Sequence, residues 1–422
     1  MTGRRKLIGE SLILIGVRAA AVVAQFGVMV LLARHLSLEH MGLYALFYAT
    51  VGIARAAGPL GIDQASTRLL AIAVGSDNAD ARVREICVTG AILTSGVALA
   101  AALAAWGVFA LGFGPSGYRS GEALFFSLAL PAFVGIGLML GQLRGLGCNL
   151  WAQAPDALGL QLLVLGQVLA FIAIGNFTLF SAMMSLTIAG WAVLTFQIWF
   201  RLRLGRFGGP LPSGAVLREV LVDGWCIFQA HIVTVGTVYL PTFLTAVLAG
   251  PTAVAVLEIA QRFGNLPSLL TSSIGATYNP TYARLAAAGE SKHLGRVMCD
   301  AGLLAGVPAL AYMLLIAFGG RDLVLAFFPP TYLPAVVPIV IIAAGSGANA
   351  LFAPFSNVYL MSGRAVFVRH FSLAALVVVA IGSWGLGPIW GATGIALAIL
   401  AGRLVRDSGL AAHHLIRTQR RN

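Results

Sequence analysis

Ile8-Gly-Glu-Ser-Leu-Ile-Leu-Ile-Gly-Val-Arg-Ala-Ala-Ala-Val-Val-Ala-Gln-Phe-Gly-Val-Met-Val-Leu-Leu-Ala33 is a nearly continuous apolar run with an arginine, Arg18, inside it. At about 1.5 Å per residue, such a run is long enough to cross about 30 Å of hydrocarbon as a helix. Arg4, Arg5 and Lys6 precede it. The run exceeds the about 7–15 apolar residues of a secretory signal peptide, so it reads as a first transmembrane helix. A charge at mid-bilayer costs about 2.5–3.5 kcal/mol on insertion scales, so Arg18 must face a cavity, a partner or an anionic ligand.

Outward from this stretch the pattern recurs along the whole chain. Its 422 residues are 59% hydrophobic and 10% charged, where a soluble domain carries about 25% charged residues. The composition therefore predicts an all-α polytopic membrane protein, and the 50 glycines suit close packing between membrane helices. Apolar runs mark about twelve helices, at 8–33, 41–66, 84–112, 122–144, 155–175, 178–200, 217–248, 252–283, 294–318, 334–360, 365–386 and 390–414.

The net charge of +12 does not point to nucleic acid, because the basic residues cluster between apolar runs. With the N-terminus inside, twenty-one of the 27 Lys and Arg fall at cytoplasmic ends and loops, Arg144, Arg201, Arg203, Arg206 and Arg403 among them. Arg34, Arg119 and Arg321 fall outside. This is a strong positive-inside bias and predicts a multi-pass protein with both termini cytoplasmic. Arg18, Arg55 and Arg262 remain within the spans. Three cations placed this way suggest a path for something negatively charged. The four cysteines (Cys87, Cys148, Cys226 and Cys299) are widely spaced and offer neither a disulfide framework nor a metal pattern.

The longest connection, Arg201 to Val216, divides the chain into halves of six helices, 1–205 and 206–422. Ser66-Thr-Arg-Leu-Leu-Ala71 closes the second helix as Tyr282-Ala-Arg-Leu-Ala-Ala287 closes the eighth. Six helices per half preserve orientation, so the halves form a parallel pseudo-repeat around a central cavity, an arrangement that implies alternating access. No long loop is present to carry the acid or histidine chemistry of a membrane transferase, which argues against an enzyme.

Two stretches resemble a known family. The first is Leu31-Leu-Ala-Arg-His-Leu-Ser-Leu-Glu-His-Met-Gly-Leu-Tyr-Ala-Leu46, continuing to Arg68; the second runs from Leu257-Glu-Ile-Ala-Gln-Arg-Phe263 to Pro280-Thr-Tyr-Ala-Arg-Leu285. Both are similar to the polysaccharide-transporter branch, with its Wzx-type flippases, of the multidrug/oligosaccharidyl-lipid/polysaccharide (MOP) exporter superfamily. Arg34, Leu36, Gly42 and Tyr44 match the turn after the family's first helix, and Ala260, Arg262, Pro280 and Arg284 match its eighth. The second turn, Ala249-Gly-Pro-Thr-Ala-Val-Ala-Val-Leu257, lacks the Gly-x-Tyr of the first. Gly145-Leu-Gly-Cys-Asn-Leu150 lacks the Gly-Asp-Thr turn of drug exporters.

The resemblance implies a MATE-like exporter fold in a bacterial inner (plasma) membrane. It implies a flippase for polyprenyl-pyrophosphate-linked oligosaccharide, an O-antigen or exopolysaccharide unit, working beside polysaccharide polymerase and export machinery. It implies no cofactor beyond Na+ or H+ as coupling ion. The alternative within the superfamily is a cation-coupled multidrug or metabolite exporter.

Arginine suits a pyrophosphate because its planar fork donates paired hydrogen bonds and stays charged. Ser11, Arg18 and Gln25 are seven apart and share a face. Tyr44 and Tyr48 lie on about the face of Arg55, where they suit sugar stacking or ordinary aromatic packing. Arg262 has Glu258 four residues before it, a spacing that favours an ion pair, and Asn265 continues that face. Arg18, Gln25, Tyr48, Arg55, Arg262 and Asn265 are the candidate substrate-binding residues. Asp63, Asp156, Asp223, Glu258 and His231, the last with Thr234 beside it, are candidates for ion coupling. His413-His414 lacks further metal ligands.

Overall fold

The apolar runs are helical throughout the computed structural model, which describes residues 2–74, 79–112, 117–118, 120–204, 213–288 and 290–419. Arg119, Arg206, Arg420 and Arg421 lie outside these residues, as do the side chains of Arg4, Arg5, Lys6, Ser11, Lys292 and Arg417. No strand occurs among the described residues. The helices are α1 (Thr2–His35), α2 (Leu38–Ala57), α3 (Ile62–Ala73), α4 (Ala79–Ala110), α5 (Ser120–Gly145), α6 (Asn149–Ala154), α7 (Leu160–Ile174), α8 (Leu179–Arg203), α9 (Gly214–Gly264), α10 (Pro267–Ala288), α11 (Ser291–Phe327), α12 (Val336–Met361) and α13 (Ala365–Gln419).

Among the described residues, ten segments are long and apolar enough to cross a membrane, where the hydropathy pattern marks about twelve. The difference lies at two glycines. The seventh run and the start of the eighth join in α9 through Gly250 (φ 81°), and the last two join in α13 through Gly391 (φ 54°). Both backbones leave the helical region where only glycine is unstrained. Across Gly391 the chain doubles back, since Gly409 lies against Phe371, Gly402 against Val379 and Gly382 against Ala398. Residues 365–390 and 392–419 are thus two antiparallel helices.

The second and eighth runs are each broken in the middle. Pro59 has no N–H to give the carbonyl of Arg55, and its ring would clash there. Helix α2 therefore stops, and Leu60 (φ 52°) and Gly61 (φ 77°) turn the chain into α3. In the eighth run, α9 ends at Gly264 and Pro267 opens α10, a first-turn position that suits proline. The fifth span begins at Asn149 rather than at 155, and a π turn at Pro155–Gly159 joins α6 to α7.

Two compact units result, Met1–Ser37 with Phe47–Val235, and Leu38–Leu46 with Gly236–Asn422. In the first, α5 packs against α3, α4 and α8, and α1 packs against α7. In the second, α12 packs against α10, α11 and α13. Each unit is therefore centred on one helix that meets the second piece of a broken helix and the long helix after it. In the second unit Gly42 lies so close to the Pro251 carbonyl that a Cβ would come within 1.7 Å of it, which gives the motif glycine a packing reason.

A stripe of glycines positions the first unit's charged residues. A Cβ on Gly137 would meet the Arg55 carbonyl at 2.3 Å, and one on Gly141 would meet the Asp63 carbonyl at 2.1 Å. One on Gly145 would reach the Leu70 Cβ at 2.8 Å. Spaced by four, these residues form one face of α5 on which α2 and α3 lie backbone to backbone.

Candidate functional site

The charged groups of the first unit converge where the broken helix α2/α3 meets the π turn. Arg55 stands on the last turn of α2, three residues before the break. Its Nη1 donates to Asp156 Oδ1 at 2.7 Å. Asp156 lies in the π turn that Pro155 opens, and its side chain is only 7% exposed. Such wide turns re-aim a side chain and are frequent at functional sites. Beside the turn, Gln197 of α8 donates to the carbonyl of Ala152 at 3.1 Å.

Arg18 of α1 donates to Gln153 Oε1 at 2.5 Å, next to the same turn. Two turns further along α1, Gln25 Nε2 donates to the hydroxyl of Tyr48 at 2.6 Å. Arg144, on the last turn of α5, is within electrostatic reach of Asp156, Arg18, Asp63 and Arg55. Asp63 in turn feels Arg144 and His231. Three guanidinium groups thus share two carboxylates, and the cluster carries an excess of positive charge. Such a group is chemically suited to a multiply charged anion, with Arg18 exposed and Asp156 buried as the fixed anchor.

The candidates named from the sequence separate into two groups. Arg18, Gln25, Tyr48, Arg55, Asp63, Asp223 and His231 lie in the first unit. Asp223 forms an ion pair with Arg68. Arg262, Glu258 and Asn265 lie in the second unit. There Arg262 is paired within its own helix, Nε and Nη2 reaching Glu258 Oε1 at 2.8 and 2.7 Å. Asn265 sits in the α9–α10 break and accepts from Arg403 Nη2 at 2.7 Å. No group of three His, Cys, Asp or Glu is placed to hold a metal among the described residues.

Sequence reading missed Arg144, Gln153 and Arg403 as site residues, counting the two arginines as cytoplasmic topology charges. Arg144 follows Gly141 and precedes Gly145 on the glycine-marked part of α5, and that spacing was the available signal. Asp156 was named for ion coupling, and the structure makes it the partner of Arg55. Tyr48→Phe is expected to lower stability by about 1 kcal/mol, because it leaves the Gln25 amide without its acceptor. A fall in melting temperature of about 2 °C would register it, and an unchanged value would count against this pair.

Residues 8–286 match the family described as "Polysaccharide biosynthesis protein". No curated protein matches the chain. Among solved structures, the lipid II flippase MurJ in an inward closed conformation is similar with a TM-score of 0.77 at 14% identity, over 94% of this chain and 86% of that one. A multidrug resistance MATE family transporter of the MOP superfamily is similar in its inward-facing form, with a TM-score of 0.73 at 15% identity over 94% of both chains. The outward-facing form of such a MATE transporter gives 0.63 at 17% identity, over 97% and 93%. These solved neighbours are named as a flippase and as transporters, not as enzymes. The chain is a multi-pass membrane protein with the MOP-superfamily fold, and it belongs to the polysaccharide biosynthesis protein family.

Proposed function

We propose that this protein is a flippase that carries a polyprenyl-pyrophosphate-linked oligosaccharide across the bacterial inner membrane by alternating access of its halves, 1–205 and 206–422. The observation that carries the reading is the cluster of Arg18, Arg55 and Arg144 around Asp156 in the first unit. A diphosphate offers several charged oxygens at the spacing of guanidinium forks. It can take the donors that Gln153 accepts and share Arg55 with Asp156, so its negative charge is met by guanidinium groups already in place. Release restores the internal Arg55–Asp156 pair, which neutralises Arg55 when no substrate is held, while Arg18 returns to Gln153. Gln25 and Tyr48, already joined by a hydrogen bond, supply amide and aromatic contacts of the type a sugar uses.

In this reading both termini are cytoplasmic, and the polymerising and exporting machinery receives the product on the far side. Coupling to Na+ or H+ falls to Asp63 with His231, because Asp223 and Glu258 are engaged by Arg68 and Arg262.

The test is translocation by the purified chain in proteoliposomes. A fluorescent oligosaccharide on polyprenyl diphosphate, the same sugar on polyprenyl monophosphate, and a fluorescent organic cation are compared. The diphosphate lipid is expected to cross fastest, by about tenfold over the monophosphate if one paired guanidinium contact is lost. Transport of the organic cation without the lipid would overturn the reading in favour of a drug exporter.

A further inference from the structure

Polar groups of the second unit gather at the break between α9 and α10, and the residue reaching into it is Arg403 from the last helix. Its Nη2 donates to Asn265 Oδ1 at 2.7 Å and its Nη1 to Ser346 Oγ at 2.8 Å. The carbonyl of Ile342 lies 3.5 Å from Nη1. Ser346 lies midway along the apolar span Pro330–Met361 and Asn265 just past the end of His231–Gly264, so this guanidinium reaches the middle of an apolar span. On the far side of the break Tyr312 donates to the carbonyl of Phe263 at 3.0 Å.

The partners of Arg403 are a side-chain amide, a hydroxyl and a backbone carbonyl, all neutral oxygens. The charged groups within its reach are Arg406 and Asp407. That carboxylate is already held by Arg406 Nε at 2.8 Å and by Asn349 Nδ2 at 3.0 Å. Neutral oxygens at an interrupted helix are the ligand set with which membrane transporters hold an alkali cation. Here a guanidinium, which stays charged at any accessible pH, stands among them.

We propose that Arg403 is a tethered cation filling an alkali-cation site at the α9–α10 break, so that the second unit takes no Na+ from solution. The consequence concerns the proposed transport, whose ion dependence would then arise elsewhere in the chain. The test reads stability alone, so a failure of the transport reading leaves it intact.

Thermal unfolding of the full chain is measured in detergent with NaCl or choline chloride at equal ionic strength. Wild type is expected to melt at the same temperature in both, or with a first-unit difference that Asn265→Ala leaves unchanged and against which the variants are read. Arg403→Ala vacates the oxygens and is expected to melt about 3 °C higher in NaCl, because a ligand bound only by the folded state raises the transition. Arg403→Ala/Asn265→Ala removes one of those oxygens and is expected to lose that difference, while Arg403→Lys, which keeps a tethered charge, stays insensitive. If Arg403→Ala folds poorly, Arg403→Gln is read the same way, and folding in NaCl but not in choline chloride supports the proposal. It is overturned if both variants are as insensitive to Na+ as wild type, or fail to fold in either salt. It is also overturned if wild type is stabilised by Na+ and Asn265→Ala abolishes the effect.

Discussion

Arg55→Ala is expected to lower stability by about 3 kcal/mol and to stop transport. Its partner Asp156 has a side chain only 7% exposed, and removing one member of a buried pair strands the other charge, at a cost of about 3–5 kcal/mol. The lower end applies because the Arg55 side chain is itself 40% exposed, so solvent already screens part of the attraction. Arg55→Ala/Asp156→Ala removes both charges and is expected to recover most of the lost stability, yet to remain inactive for want of the guanidinium. Thermal melts and a translocation assay on the two variants separate the roles. If the single variant melts like wild type, the pair does not anchor the site; if the double variant transports, Arg55 does not hold substrate.

Gly141→Ala is expected to be comparably damaging for a steric reason. A Cβ there would stand 2.1 Å from the Asp63 carbonyl and 2.7 Å from its Cα. Backbone cannot rotate away as a side chain can, so α3 must move off α5. Overpacking of this kind costs about 1–3 kcal/mol or more, and the displacement carries Asp63 and the break after Arg55 with it. Gly96→Ala in α4 is the matched control, because nothing lies within 4 Å of the added methyl, and a membrane helix should accept it without loss. Equal expression and melting of the two variants would contradict the close packing of α3 on α5.

Much of the fold was legible because hydropathy is a one-dimensional signal. Runs such as 8–33 and 178–200 became α1 and α8 with small shifts of their ends. The breaks at Gly58–Gly61 and at Asn265–Leu266 were harder. Pro59 and Pro267 stand in the sequence, but which side of each proline stays helical depends on what packs there. At Pro59 that is Gly137, nearly eighty positions away. Merging of the last two spans through Gly391 was hidden too, since a single glycine at positive φ reverses the chain without a polar loop.

At the site, an arginine in an apolar run was informative for Arg18 and Arg55 and misleading for Arg144 and Arg403. Arg144 closes its apolar run, and Arg403, although at the middle of 390–414, counts with Arg406 beside it, so positive-inside counting assigns both to the cytoplasm. Their long side chains instead reach inward, Arg403 to the level of Ser346. Spacing did identify Arg262 with Glu258 as an i, i+4 pair, because that interaction is contained in one helix. Arg55 with Asp156 spans a hundred residues and could only be found in three dimensions.

The central claim is that the first unit's arginines bind the diphosphate. The most direct measurement is the affinity of the purified chain for a short-chain polyprenyl diphosphate, by native mass spectrometry or fluorescence. Wild type is compared with Arg18→Gln, Arg144→Gln, Arg55→Gln/Asp156→Asn and Arg262→Gln. Each of the first three variants is expected to weaken binding about tenfold, the loss of one charge-assisted contact, while Arg262→Gln stays within about threefold of wild type. Undiminished binding by the first three, or an equal loss in Arg262→Gln, would contradict the account.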